Sequence, residues 1–113
     1  ELKFIGTLCV EFFIDRNENL FVNEIAPRVH NSGHLTINAY NVSQFENHVR
    51  AVCSLKKVSL NKLYNAKMVN LIGSQIAQYR NNNSLGENEF FFDYLKKEIK
   101  AKRKMGHITT LIK

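Results

Sequence analysis

The amino-acid sequence predicts an α+β fold, and three observations carry that expectation. Residues 6–14 alternate in the manner of a half-buried strand, and residues 20–26 read as a second strand beyond a polar cluster. Ser43-Gln44-Phe45-Glu46 has the form of a helix-capping box ahead of an apolar-periodic stretch. The second half of the chain returns to short strand-like runs at 67–73, 89–95 and 107–112. An antiparallel hairpin plus a helix, followed by a small β-rich domain, is the implied architecture, with domains at residues 1–55 and 56–113.

From Gly6 to Ile14, Leu8, Val10, Phe12 and Ile14 fall on one face and Thr7, Cys9, Glu11, Phe13 and Asp15 on the other, the pattern of a half-buried strand. The polar cluster Arg16-Asn17-Glu18-Asn19 connects it to a second strand, Leu20 to Ala26, which Pro27 ends. If Asp15 lies opposite Leu20, then residue 14 pairs with 21, 13 with 22 and 12 with 23, and Glu11 meets Glu24. Carboxylates opposed at a Cβ separation of about 5 Å repel. A compensating charge is then required, and a hard divalent cation such as Mg²⁺, which takes one or two protein carboxylates and completes its shell with water and phosphate, is the natural one. A connection differing by one residue would flip one strand and part the acids. Both registers are open at this level.

His30-Asn31-Ser32-Gly33-His34 is a turn-prone loop. The capping box predicts a helix from about Gln44 to Cys53 with Phe45, Val49 and Val52 facing inward. Residues 80–89, RNNNSLGENE, predict a polar loop, and a basic segment separates the last two strands.

Composition narrows the function classes. At 113 residues, 44% hydrophobic and 23% charged, the chain is ordinary globular material for one modest core. No run approaches the roughly 18 apolar residues of a membrane helix, and the N-terminus has no secretory pattern, so a soluble cytoplasmic protein is expected. Glu1 to Ile5 lead directly into a strand-like segment, which is the expectation for a fragment. Cys9 and Cys53 have no metal-ligand spacing and read as reduced, partly buried thiols. The formal charge of +6 is concentrated in Lys96, Lys97, Lys100, Lys102, Arg103 and Lys104. No aromatic-rich RNA-binding signature accompanies these lysines, which argues against a basic nucleic-acid-binding module.

VEFF around Glu11, NEIAPRVHNSGH at 23–34, SQFENHVRAV at 43–52, MVNLIGS at 68–74 and RKMGHIT at 103–109 together resemble the C-terminal part of the PurK-type 5-(carboxyamino)imidazole ribonucleotide synthetases, ATP-grasp enzymes of purine synthesis. The resemblance implies the C-terminal half of an ATP-grasp domain followed by the family's small β-rich domain. It also implies a reaction in which ATP phosphorylates bicarbonate to carboxyphosphate, whose carboxyl group passes to the amine of 5-aminoimidazole ribonucleotide with release of ADP and phosphate. ATP and Mg²⁺ are the implied cofactors. Glu11 and Glu24 match the family's metal-binding acids, and Asn23, with Glu24, matches the nucleotide site. Arg28 and His30 match residues beside the bicarbonate and carboxyphosphate region, where a guanidinium can grip a planar anion and an imidazole can hydrogen-bond or shuttle a proton. Asn31 and Ser32 shape the same loop, with His34 less assured of a role and His48 structural.

Near the end, Lys97, Arg103 and Lys104 match basic positions beside the ribonucleotide phosphate, whereas Ala101 and Lys102 stand where the family has proline and glycine, and Tyr94 is one place out of register. The family's N-terminal nucleotide-fold domain and phosphate-covering loop have no counterpart here. The resemblance therefore implies a chain inactive alone, needing the N-terminal half of the enzyme, and leaves open whether the full-length protein is a homodimer. Formate-dependent glycinamide ribonucleotide transformylase is the nearest alternative, but Asn31 to His34 and Met105-Gly106-His107 depart from its pattern. A folded remnant without activity is the other.

Overall fold

The computed structural model describes residues 3–81 and 85–112, so Glu1, Leu2 and the centre of the predicted polar loop lie outside the described residues. The chain divides into two compact units, Glu1–Asn61 and Lys62–Lys113.

In the first unit, β1 (Cys9–Ile14) pairs antiparallel with β2 (Leu20–Ala26). Both are rich in β-branched and aromatic residues, which suit a pleated strand. The connection runs from Asp15 to Asn19. Its geometry comes from Asp15, whose carboxylate accepts from the Asn17 N–H at 2.8 Å, the Asn19 N–H at 2.9 Å and Asn19 Nδ2 at 3.0 Å, while Glu18 takes a positive φ of 63°.

That connection corrects the expected register. Ile14 lies opposite Leu20, Phe13 opposite Phe21 and Phe12 opposite Val22, one place from the pairing that put Asp15 opposite Leu20. A β-bulge between Glu11 and Phe12 then absorbs Asn23 as the extra residue of β2 and returns Glu11 to a position opposite Glu24. A second correction concerns burial. The predicted inward face of β1 is open, with Phe12 and Ile14 exposed, and Phe13, Phe21 and Val22 are exposed as well. Among the described residues, no layer covers the outer half of the hairpin.

Beyond Pro27 the chain makes a 3-10 turn at Asn31–Gly33, a short helix α1 (Thr36–Ala39) and the helix α2 (Gln44–Val52). Ser43 caps α2, its hydroxyl accepting from the Glu46 N–H at 3.1 Å. Glu46 turns to Arg50 at 2.8 Å rather than back to the cap, so only half the capping box forms. The face predicted to point inward points out: Phe45, Val49 and Val52 are exposed. Gln44 and His48 face inward instead, because hydrogen bonds anchor them there. His48 Nδ1 accepts from the Thr7 N–H at 3.1 Å, and Gln44 binds the backbone of His30. Ala26, Ala39 and Val42 form the small apolar interior. Cys9 is half-buried; Cys53 is exposed, against the expectation of partial burial for both.

The second unit is a three-stranded antiparallel sheet in the order β3 (Asn65–Ile72), β5 (Lys104–Ile112), β4 (Glu89–Asp93). These strands match the predicted runs to within three residues: β3 begins two residues early and ends one early, β4 ends two early, and β5 begins three early, inside the basic segment. The helix α3 (Ile76–Asn81) was not predicted; it is too short to show a helical period in sequence. Leu71, Ile76, Met105 and Ile108 form the core, flanked by Tyr79 and Phe91.

One ion pair ties α3 to the end of β4. Arg80 Nε and Nη2 reach the two Asp93 oxygens at 2.7 and 2.9 Å. These hydrogen bonds hold the Asp93 carboxyl below its usual value; partial burial opposes them, and the Leu95 N–H and the Arg80 charge assist. The sign follows from linkage: a depressed folded-state pKa adds stability that is complete above the unfolded value of about 3.9 and is lost as pH falls through the folded value. Asp93→Asn should therefore melt below the wild type at pH 7, and the gap should shrink as pH drops below about 4. A gap that stays constant from pH 7 to pH 2 would exclude the ion pair as its cause.

Candidate functional site

The candidate site lies in the first unit where β2 leaves the hairpin. The bulge at Asn23 sets it up, since without that extra residue the one-place register would turn Glu11 and Glu24 to opposite faces. With it, a carboxylate oxygen of each acid and a ring nitrogen of His30 all lie within 4.8 Å of one another.

Each acid has a partner within the chain. Asn23 Nδ2 donates to Glu11 Oε2 at 3.1 Å, and Arg28 Nη2 donates to Glu24 Oε1 at 3.3 Å. Arg28 also donates from Nη1 to the Val29 carbonyl at 3.0 Å. The Arg28 guanidinium and the Asn23 amide thus offset part of the repulsion between the opposed acids from within the chain. The offset is weak, because the Arg28 and Glu24 side chains are 61% and 45% exposed and such surface pairs contribute about 0–1 kcal/mol.

His30 is held more firmly. It caps the 3-10 turn, its Nδ1 accepting from the Ser32 N–H at 3.4 Å with the Ser32 hydroxyl at 2.8 Å. A backbone N–H can only donate, so Nδ1 accepts and the neutral ring carries its proton on Nε2, which points at Glu24 Oε1 from 4.0 Å. Ser32 Oγ also lies 4.0 Å from Cys9 Sγ. The loop is pinned from behind by Gln44, whose Oε1 accepts from the His30 N–H at 2.9 Å and whose Nε2 donates to the His30 carbonyl at 2.7 Å. Sequence reasoning treated Gln44 only as a member of the capping box; a polar residue at the start of a helix carries no signal of burial.

The donor set suits a divalent cation of the hard type. Two carboxylate oxygens are Mg²⁺ ligands by preference, and here they stand, with the His30 ring nitrogen, within 4.8 Å of one another. His30 suits a different task, because its Nε2 presents a hydrogen rather than a lone pair.

The structure thus brings Glu11, Asn23, Glu24, Arg28, His30 and Ser32 together, with Asn31 opening the turn. Lys97, Arg103 and Lys104 belong to the second unit. Lys97 is exposed, Arg103 Nη1 donates to the Glu98 carbonyl at 3.4 Å, and the Lys104 carbonyl accepts from Lys96 Nζ at 2.7 Å. A turn closed by the Arg103 N–H on the Lys100 carbonyl at 2.9 Å spans Ala101 and Lys102, so the chain turns here without proline or glycine. No helix among the described residues is long and apolar enough to cross a membrane.

The chain is similar to known proteins along almost its whole length. Residues 1–45 match the ATP-grasp domain family, and residues 66–113 match the phosphoribosylaminoimidazole carboxylase C-terminal domain family. The N5-carboxyaminoimidazole ribonucleotide synthase of Bacillus subtilis (strain 168) is 45% identical over 109 residues, covering 96% of this chain and 29% of the relative. The protein of the same name from Staphylococcus aureus (strain COL) is 48% identical over 119 residues, 97% of this chain and 30% of the relative. A crystal structure of N5-carboxyaminoimidazole synthetase from S. aureus complexed with ADP superposes with a TM-score of 0.87 at 46% identity, over 96% of this chain and 30% of that one. The synthase from Aspergillus clavatus, in complex with ADP and 5-aminoimidazole ribonucleotide, superposes at 0.84 with 33% identity, over 95% and 30%. The chain spans about 30% of the length of these relatives. Its fold is that of their C-terminal part, the end of an ATP-grasp domain followed by a small antiparallel-sheet domain.

Proposed function

We infer, for a chain that belongs to the C-terminal part of the N5-carboxyaminoimidazole ribonucleotide synthase family, that it serves an ATP-dependent carboxylating ligase. The substrates are ATP, bicarbonate and 5-aminoimidazole ribonucleotide. Bicarbonate oxygen attacks the γ-phosphorus and ADP leaves; the amine of the ribonucleotide then attacks the carboxyphosphate carbon and phosphate leaves. The observation that carries this reading is the Glu11, Glu24 and His30 cluster at the hairpin exit, in a chain this similar to synthases solved with ADP.

Glu11 and Glu24 would hold Mg²⁺, and Asn23 would lie at the nucleotide. When bound, Mg²⁺ neutralises phosphate charge that otherwise repels an anionic nucleophile. Arg28 can leave Glu24 at a cost of about 1 kcal/mol or less and turn its planar fork to bicarbonate or carboxyphosphate. His30, with its proton on Nε2, can donate to an oxygen of the same anion, and Asn31 and Ser32 hold the loop that presents it. Lys97, Arg103 and Lys104 supply positive charge for the ribonucleotide phosphate. In this reading the chain acts as part of a longer cytoplasmic enzyme.

The test is ADP release by the full-length protein with Mg²⁺. It should depend on bicarbonate and rise when 5-aminoimidazole ribonucleotide is added. ADP release indifferent to both would exclude the reading.

A further inference from the structure

Among the described residues of the first unit, Gln44 is the buried polar side chain, only 9% exposed, and its side-chain hydrogen bonds run to His30 and His34 of the site loop. Its amide cannot be flipped. Oε1 takes the His30 N–H and Nε2 gives to the His30 carbonyl, and a backbone N–H only donates while a carbonyl only accepts. The same Nε2 lies 2.7 Å from His34 Nδ1, so that nitrogen accepts and the neutral His34 ring carries its proton on Nε2.

Several contacts help to place this amide. Ser43 caps the helix at Gln44, the Gln44 N–H donates to Thr36 Oγ1 at 2.9 Å, and Thr36 Oγ1 donates to the Gly33 carbonyl at 2.6 Å. Gly33 leaves room for it, since a Cβ there would come within 2.5 Å of Gln44 Oε1. Burying an amide stabilises nothing unless its partners are met, so a fully met amide aimed at one residue's N–H and C=O argues for placement rather than bulk.

We propose that Gln44 is a positioning residue: it clamps the backbone of His30 so that Nε2–H faces Glu24 and the anion beside it, and it sets the proton of His34. The inference rests on the role assigned to His30 under Proposed function. In this proposal Gln44 acts through His30 rather than on the nucleotide or the anion itself.

Gln44→Glu and Gln44→Met, made in the full-length protein, separate this from a merely structural part. The carboxylate of Gln44→Glu keeps the acceptor for the His30 N–H and loses both donors; Gln44→Met keeps the volume and loses all three bonds. Bicarbonate-dependent turnover should fall about 10- to 100-fold in kcat in both, the scale seen when an outer partner of a site residue is removed, while the affinity for Mg-ADP changes less than about threefold. ¹⁵N spectra of the histidine rings should show the wild-type His34 proton on Nε2 and a changed tautomer balance in Gln44→Met. Turnover within threefold of wild type, or a loss of Mg-ADP affinity in step with a loss of melting temperature, overturns the proposal. So does a His34 proton on Nδ1 in the wild type, a reading independent of turnover. Absence of bicarbonate-dependent turnover in the wild type instead removes the functional reading, and the ring spectra then judge the clamp alone.

Discussion

Glu24→Gln in the full-length protein should lower bicarbonate-dependent ATP turnover at least about a hundredfold, the top of the range for disturbing a metal site from outside, since here a proposed ligand itself is lost. The substitution keeps the shape of the side chain. It removes one charge from a position where the chain offers Arg28 at 3.3 Å and the His30 ring at 4.0 Å. Because the Arg28–Glu24 pair is half-exposed, losing it costs about 1 kcal/mol or less, so the melting temperature should scarcely move. Folding and function therefore separate in this variant. Glu18→Gln is the control, a loss of one carboxylate at the hairpin turn, away from the opposed pair. Turnover of Glu24→Gln within threefold of wild type would remove Glu24 from the mechanism.

How much of this site was legible in the sequence depends on the kind of signal each residue carries. The opposed acids follow from alternation and the polar cluster between the strands, both local. The route to their pairing does not. A bulge is a backbone event; the extra residue, Asn23, looks in sequence like any other polar position, and only the coordinates show that it restores a pairing the turn had shifted. The capped start of α2 was readable from Ser43, because a cap is a contact between near neighbours. Which face of α2 turns inward was not. Hydrophobic periodicity selects Phe45, Val49 and Val52, whereas the inward residues Gln44 and His48 are chosen by hydrogen bonds to residues 14 and 41 positions away. Patterning arguments assume that burial is apolar, and they fail where a polar anchor decides. The start of β5 was no more legible: Lys104 closes the basic run and reads as solvated, yet its backbone pairs with β3 opposite Ile72.

Gly106→Ala should be the most destabilising small substitution in the second unit. Gly106 lies in β5, the central strand, opposite Leu71 of β3 and Asp93 of β4. A Cβ there would come within 2.5 Å of the Phe92 carbonyl oxygen and 2.9 Å of Ile76 Cδ1. The first contact is with backbone in the paired strand, so relief requires moving β4 and weakening its ladder; the second presses on a fully buried core residue beside Met105. Overpacking that forces backbone shifts costs about 1–3 kcal/mol and sometimes more, and two rigid neighbours put this case at about 3 kcal/mol or above. Gly86→Ala is the comparison. Its Cβ would meet only the flexible end of Glu89 at 3.4 Å, and an exposed change of that kind stays within about 0.5 kcal/mol. Amide hydrogen exchange in β4 and β5 reads the difference directly, since about 3 kcal/mol corresponds to more than a hundredfold faster exchange. Equal exchange in the two alanine variants would mean that β4 can yield to the new methyl group, and the close approach at Gly106 would lose its significance.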